Sequence, residues 1–328
     1  MEDMTGGIFG LEAVSATPSF PYAESPCCAY VSSGRAALEC LLRNMEPPAR
    51  VLVPRMACDT LLEPLQRMGL PVTRYGCDAQ FRPLLPPDIG AGDILILINY
   101  FGLTGDAVAE AAAAAPCRCV VDATTALYAP PLPGVPTFYS LRKFAGVPDG
   151  GVALASFPLT QLPQEEADST LRMLPLQLRT AQGAVAAAAA SEAAEQSLSA
   201  PPQRMSALTR RILGTLDFAA AARRRLRNYA VLHRALAPLN RLSLPAVPPC
   251  APMCYPLVSG IPDLHDSLID AGIALPLYWP EVIAATEAYE TENRLARTLL
   301  PLPLDQRYTE ADMDRLIAST KYEVRGTK

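Results

Sequence analysis

Residues 139–151 read YSLRKFAGVPDGG, and the Lys143 they contain is one of only three lysines among 28 basic residues. The other two, Lys321 and Lys328, stand at the C-terminal end. A chain that uses arginine wherever it needs a positive charge, and lysine once in its interior, points to a position that needs an amine. A primary amine can form a Schiff base with an aldehyde, whereas a guanidinium stays protonated and cannot. Composition alone leaves an ordinary surface lysine as the competing reading. Gly146 and the Asp149-Gly150-Gly151 turn follow, and glycines there leave backbone room beside a flat ligand. Desolvation and the neighbouring Arg142 are the means by which such an amine becomes a nucleophile.

Working outward, strand and helix patterns alternate up to this segment. Cys28 to Ser32 is expected to be a short strand. The helix after it has apolar positions Ala37, Leu38, Leu41, Leu42 and Met45 at helical spacing, and Pro47-Pro48 ends it. Val51–Val53 and Val72–Tyr75 read as strands. Between them Thr60 and Glu63 are placed for a capping box on a helix that stops near Gly69. Ile94 to Ile98 is a continuous apolar run, as expected of a strand covered on both faces. Asp106 to Ala115 is an alanine-rich helix, and Cys119 to Val121 is a buried strand that ends in Asp122. Such alternation predicts a mostly parallel sheet wound with helices.

Beyond residue 160 the pattern changes. Residues 164–198 are rich in Ala, Glu and Gln and are expected to be helical. Ser206 to Leu236 reads as one long arginine-studded helix stopped by Pro238. Residues 240–304 are proline-rich, with short strands and a helix near 263–271. Thr309 and Asp312 open a closing helix. The domain change is placed near residue 235.

Ligands in a parallel α/β sheet lie beyond the carboxyl ends of the strands. Ser32-Ser33-Gly34-Arg35 falls between a strand and a helix N-terminus, where free N–H groups and the helix dipole favour a phosphate. A plain N-cap is the other reading of Ser33. Asp122 is a carboxylate at the end of a buried strand and needs a partner. A protonated pyridine nitrogen, an arginine or a helix N-terminus would each serve.

Composition excludes several function classes. The net charge is −5, which argues against general nucleic-acid or anionic-membrane binding. The start, MEDMTGGIFGLE, lacks a signal-peptide pattern, and no apolar run is long enough for a membrane span. The nine cysteines and two histidines show no metal-ligand spacing, so no metal is expected.

In the order phosphate loop, strand-end aspartate, lysine, these features resemble fold-type-I proteins that bind pyridoxal 5′-phosphate (PLP). More narrowly, the chain resembles the DegT/DnrJ/StrS family of PLP-dependent aminotransferases, which act mainly on keto sugars attached to nucleotides. SSGRAALECLL is similar to that family's SGTAAL phosphate segment. INYFGLTGD is similar to its H-x-Y-G segment, VVDATTALYA to EDAAQA, and SLRKFAGVPDGG to its lysine segment. RMSALTRRILGTLDFAAAARRRLRNYAVL resembles its RMSELQAA helix, and LLPLPLDQRYTEADMDRLI its closing helix.

The resemblance implies an α/β fold-type-I architecture: a mixed, mainly parallel, seven-stranded-type sheet between helices with a smaller C-terminal α+β domain. Residues 1–235 are then the large PLP-binding domain, with 1–27 as an N-terminal arm, and residues 236–328 the small domain. It implies catalysis by Lys143 and Asp122. Ser33, Gly34, Arg35, Cys58, Thr125 and Ser140 would join them around the cofactor, with Tyr100, Tyr278 and Trp279 toward substrate. The reaction implied moves an amino group from a small-molecule donor to a keto sugar, nucleotide-linked, in polysaccharide biosynthesis. A cytoplasmic homodimer with active sites at its interface is implied as well.

Departures from the family pattern are specific. Arg35 replaces a threonine and could clamp the phosphate bidentately or reach substrate. Cys58 stands where an aromatic residue usually stacks on the ring, so either it makes a thinner contact or Tyr100 or Phe101 covers the ring. Thr125 replaces a glutamine. Pro202 falls near the asparagine that reaches the phosphate from a neighbouring subunit. Trp279 and Tyr278 either line the site's mouth or only pack. Another PLP-dependent enzyme such as a dehydratase, a non-catalytic PLP- or nucleotide-sugar-binding protein, and a structural helper without cofactor stay open as alternatives.

Overall fold

A computed structural model describes residues 5–6, 9, 20–261, 263–285 and 290–326. Most of the expected N-terminal arm, and Lys328, lie outside the described residues. The first half of the chain builds one sheet. Its strands are β2 (Cys28–Val31), β3 (Val51–Pro54), β4 (Val72–Cys77), β5 (Pro83–Leu84), β6 (Ile94–Ile98), β7 (Arg118–Asp122), β8 (Thr137–Ser140) and β9 (Gly151–Leu154). A short β1 (Thr5–Gly6) precedes them. The order across the sheet is β2-β9-β8-β7-β6-β3-β4-β5. Pairings β8–β7–β6–β3–β4 are parallel, while β9 runs antiparallel to both β2 and β8 and β5 antiparallel to β4. The sheet has eight strands rather than the seven expected, because the two-residue β5 adds an edge too short to show a strand pattern.

The apolar runs explain the centre. All five residues of β6 are buried, as a strand covered on both faces must be. Register places Ile98 opposite Asp122, so the loop after β6 lies beside the carboxylate at the end of β7. Helix α1 (Gly34–Arg43) packs on β8 and β9 and buries Ala36, Ala37, Leu38, Cys40, Leu41 and Leu42. Helices α2 (Leu62–Arg67) and α3 (Gly105–Ala114) make the next crossovers.

The expected capping box at Thr60 and Glu63 does not form. Cys58 precedes a single 3₁₀ turn, Asp59–Leu61, that runs into α2, and the Glu63 carboxylate turns instead to Arg35 at 2.9 Å. The helical expectation for residues 164–198 is met in detail by a pair of helices. Residues 164–198 contain two helices, α4 (Thr170–Gln182) and α5 (Ala184–Gln196), parted at Gly183, whose φ of 87° only glycine adopts without strain. Nor is the stretch from Ser206 to Leu236 one helix. It divides into α6 (Ala207–Leu213) and α7 (Phe218–Leu236), because Asp217 accepts the Ala220 N–H at 2.8 Å and starts α7 afresh.

α7 starts in the core of the large sheet with Phe218 and ends in a second core with Tyr229, Leu232 and Leu236. That second core holds β10 (Tyr255–Val258) antiparallel to β12 (Leu299–Leu302), with α8 (Leu264–Asp270) and α11 (Glu310–Gly326). Strand β1 pairs in parallel with β11 (Ile273–Ala274), which ties the N-terminal arm to the C-terminal part. Two helices hidden in the proline-rich stretch, α9 (Pro280–Ala284) and α10 (Glu290–Thr298), return to the large sheet. They do so through long-range contacts: buried Glu292 accepts the Cys77 N–H at 3.0 Å, and Glu281 accepts the Asp59 N–H at 2.8 Å. At the closing helix Thr309 and Asp312, expected at its start, form a reciprocal cap, with Thr309 N–H to Asp312 Oδ2 at 2.8 Å.

Asp217→Ala removes the cap that starts α7 and is expected to cost about 1 kcal/mol. A lower urea midpoint at an unchanged slope is the readout.

Candidate active site

Strand β7 is buried along most of its length, and so is the side chain at its end: Asp122 is 5% exposed. Its Oδ1 accepts the Thr124 N–H at 2.8 Å. Burial pushes the Asp122 carboxyl above its ordinary pKa, and the Lys143 charge and the bonds to Thr124 pull it back only in part. No arginine pairs with this carboxylate among the described residues. In place of an arginine or a helix N-terminus, the structure supplies a threonine N–H in a turn and, farther off, an amine.

That amine is Lys143, in the turn that follows β8. Its Nζ donates to Thr124 Oγ1 at 3.3 Å, so Thr124 touches both groups. The Lys143 side chain is exposed rather than desolvated. Arg142 points elsewhere, with its guanidinium 2.6 Å from Glu195. Thr124 is the amine's immediate contact, with the Asp122 carboxylate beyond it. The glycine pair has a different task from the one expected as well. Gly151 lies against the Ser33 carbonyl, where a Cβ would come within 2.1 Å, and Gly150 N–H donates to Ser32 O at 2.7 Å. Gly151 makes room for the Ser33–Gly34 turn, while Gly150, at φ 133°, holds a backbone state that favours glycine.

Ser33 caps α1 by accepting the Ala36 N–H at 3.1 Å, and the first N–H groups of a helix have no partner within it. Gly34 sits close to Thr124: a Cβ there would meet Thr124 Cγ2 at 2.9 Å and Ser140 Cβ at 3.6 Å. The helix start, the end of β8 and the Asp122 loop thus converge. Arg35 does not turn into this space as a free clamp. Its Nη1 bonds Glu63 at 2.9 Å and Ser199 Oγ at 3.1 Å, and its Nη2 pairs with Glu195.

Every residue expected at the site borders one cavity of about 530 Å³. Cys58, exposed, borders it from the loop after β3. Thr125 borders it too, but its hydroxyl is committed: it receives the Phe101 N–H at 3.1 Å and donates to Asn99 O at 3.0 Å. Tyr100 donates to Met56 O at 2.8 Å and belongs to an aromatic wall. Phe101 stacks on Tyr278 at 6.3 Å, and Trp279 lies 5.9 Å from Tyr100 and 6.2 Å from Phe101. Phe101 and Trp279 have φ of 60° and 55°, an uncommon backbone state for bulky residues that the surrounding packing has to hold. Pro202 is absent from the cavity lining.

Three residues of the site escaped the sequence reading. Thr124 stands beside Thr125 in VVDATTALYA, and the strand-end position of Asp122 could have singled it out as the nearer neighbour. Glu195 and Arg172 also border the cavity, from α5 and α4. Nothing in an alanine-rich helical stretch marked them. Burial opposes the charge of Glu195, but Arg142 and Arg35 outweigh it and hold that carboxyl below its ordinary range.

No family model matches the chain, and no curated protein matches its sequence. Solved structures do match its fold. The aminotransferase TlmJ from Streptoalloteichus hindustanus has a TM-score of 0.62 and 16% identity, over 93% of this chain and 87% of that one. Spr1654 from Streptococcus pneumoniae, assigned as a sugar aminotransferase and solved in its PMP form, has a TM-score of 0.64 and 16% identity, over 96% and 94%. A DegT DnrJ EryC1 StrS aminotransferase from Brucella abortus has a TM-score of 0.60 and 18% identity, over 90% and 85%. The chain therefore has the α/β fold of these aminotransferases along nearly its whole length, which is the fold-type-I architecture expected from the sequence.

Proposed function

We propose that the chain is a PLP-dependent aminotransferase that passes an amino group to a keto sugar. One observation carries this reading: the Lys143 amine and the buried Asp122 carboxylate share Thr124, in a cavity that also receives the α1 N-terminus. These residues fit the cofactor. An amine is available for its aldehyde, a buried carboxylate has no arginine partner among the described residues, and the start of α1 offers open N–H groups to a phosphate. The same fold in TlmJ and in Spr1654, which has also been solved in a PLP form, supports the reading.

When bound, PLP supplies a ring that accepts electrons from the reacting carbon. This chain's residues would do the rest. Lys143 holds the cofactor and, once released, carries a proton at Nζ as general acid and base. Asp122 keeps the ring nitrogen protonated, and that cation relieves its buried charge. Ser33, Gly34 and Ser140 would take the phosphate and Cys58 would border the ring, while Thr125 braces the Asn99–Phe101 loop. Tyr100, Tyr278 and Trp279 wall the space left for the acceptor. A nucleotide-linked sugar, a role in polysaccharide biosynthesis, a cytoplasmic homodimer and a division at residue 235 belong to the same proposal. Among the described residues no helix is long and apolar enough to cross a membrane.

Borohydride treatment of the PLP-loaded protein should fix the cofactor to Lys143, as peptide mapping would reveal, and Lys143→Ala should abolish both the fixation and the transfer of amino groups. Added PLP should slow alkylation of Cys58 severalfold by the same mapping; an unchanged rate would place the ring elsewhere. For Asp122, burial raises the folded pKa above 3.8, so the folded chain binds the proton more tightly than the unfolded one. Stability then falls as pH rises through that window and remains lowered above it. Cofactor-free Asp122→Asn is accordingly expected to melt higher than the parent chain at neutral pH, yet to bind PLP about a hundredfold more weakly for want of a buried charge partner.

A further inference from the structure

Arg172 is a buried arginine, 6% exposed, on α4, and it borders the cavity that Ser33, Gly34 and Ser140 also line. Its Nε donates to Ser197 Oγ at 2.8 Å and its Nη2 to Ser197 O at 2.9 Å. Its Nη1 is buried and has no hydrogen-bond partner. A buried donor without an acceptor costs free energy, and a charged one more. Such a group marks a place where an acceptor belongs.

Two neighbouring guanidiniums already have carboxylates. Glu195 sits between Arg35 and Arg142, and Glu63 adds a second contact to Arg35. Among the described residues no carboxylate is within ion-pair distance of Arg172. Burial disfavours its charge, and Arg142 and Arg35 repel it, against a pull from Asp149 and Asp168. The hairpin of α4 and α5 that carries it is pinned over the start of α1, because Ser199 accepts from Arg35 at 3.1 Å and from Arg67 at 2.8 Å. An uncommitted, buried cationic donor is thereby held beside a ten-residue helix whose first N–H groups are also open.

We infer that Arg172 Nη1 is a donor to the phosphate monoester of the bound cofactor, supplied by the same chain through the α4–α5 hairpin. This rests on the PLP reading above and adds to it a residue from outside the sheet loops. A dianionic phosphate satisfies the orphaned nitrogen and offsets the surplus positive charge of Arg172. Glu195 engages Arg35 and Arg142, and of these three guanidiniums Arg172 is the one with a buried nitrogen that has no partner.

Pyridoxal, identical to PLP except for the phosphate, isolates this contact. Dissociation constants of both compounds would be measured by absorbance titration of the full-length parent chain and of Arg172→Gln and Arg172→Lys, with melting temperatures as a control for folding. Arg172→Gln should weaken PLP by about tenfold to a hundredfold while pyridoxal changes by less than about twofold. Arg172→Lys, which keeps the charge, should recover part of the loss. Equal affinity for PLP in Arg172→Gln and the parent overturns the inference but leaves the PLP reading intact. Parallel weakening of PLP and pyridoxal also overturns it, since that assigns Arg172 to hairpin structure alone. A parent chain that binds neither compound overturns the PLP reading and this inference together.

Discussion

A carboxylate taken out of water at the end of a buried strand is the constraint around which this site is arranged. Asp122 is removed from solvent by the apolar strands β6 and β7, and a charge in that position needs compensation. Among the described residues it draws on the backbone and side chain of Thr124 and on the field of Lys143, less than a carboxylate can accept. The shortfall is reflected in the direction of its pKa. A site that leaves a buried carboxylate under-compensated gives up stability for readiness toward a cationic partner, and the proposed cofactor carries one.

The second element of the site depends on strand order. β9 lies antiparallel between β2 and β8, and Gly151 pairs with Val31 on one side and Ser140 on the other. The carboxyl ends of β2 and β8 therefore reach the same level, one strand apart. That brings the Ser33–Gly34 turn next to Ser140, with Gly151 beneath it, where any side chain would collide with the Ser33 carbonyl. Two sequence segments more than a hundred residues apart form one pocket edge because a strand between them has no Cβ at its first residue.

Charges from the second half of the chain complete the other end. Glu195 links Arg35 to Arg142, and so ties α5 to α1 and to the turn that carries Lys143. Arg172 is held by Ser197 within the same hairpin. On the far side, Glu281 and Glu292 reach back to the loop after β3 and to β4 and bring Trp279 and Tyr278 against Phe101. The aromatic wall and the guanidinium cluster thus bound the cavity from opposite parts of the sequence.

Much of this was legible in the residues alone. Strands such as ILILI announce themselves because burial on both faces demands an unbroken apolar run, and Ser33, Asp122 and Lys143 each lie where a strand ends and a turn begins. Those signals are local, so the sequence by itself determined the winding of the sheet and the order of its site residues. What Arg35 would bind, whether Thr124 or Thr125 would meet the amine, and where Gly151 would lie were settled only by the tertiary structure. Each depends on partners distant in sequence, such as Glu195 for Arg35 and Ser33 for Gly151. A side chain's type limits what it can bond, but its partner is whichever group the fold brings within about 3 Å.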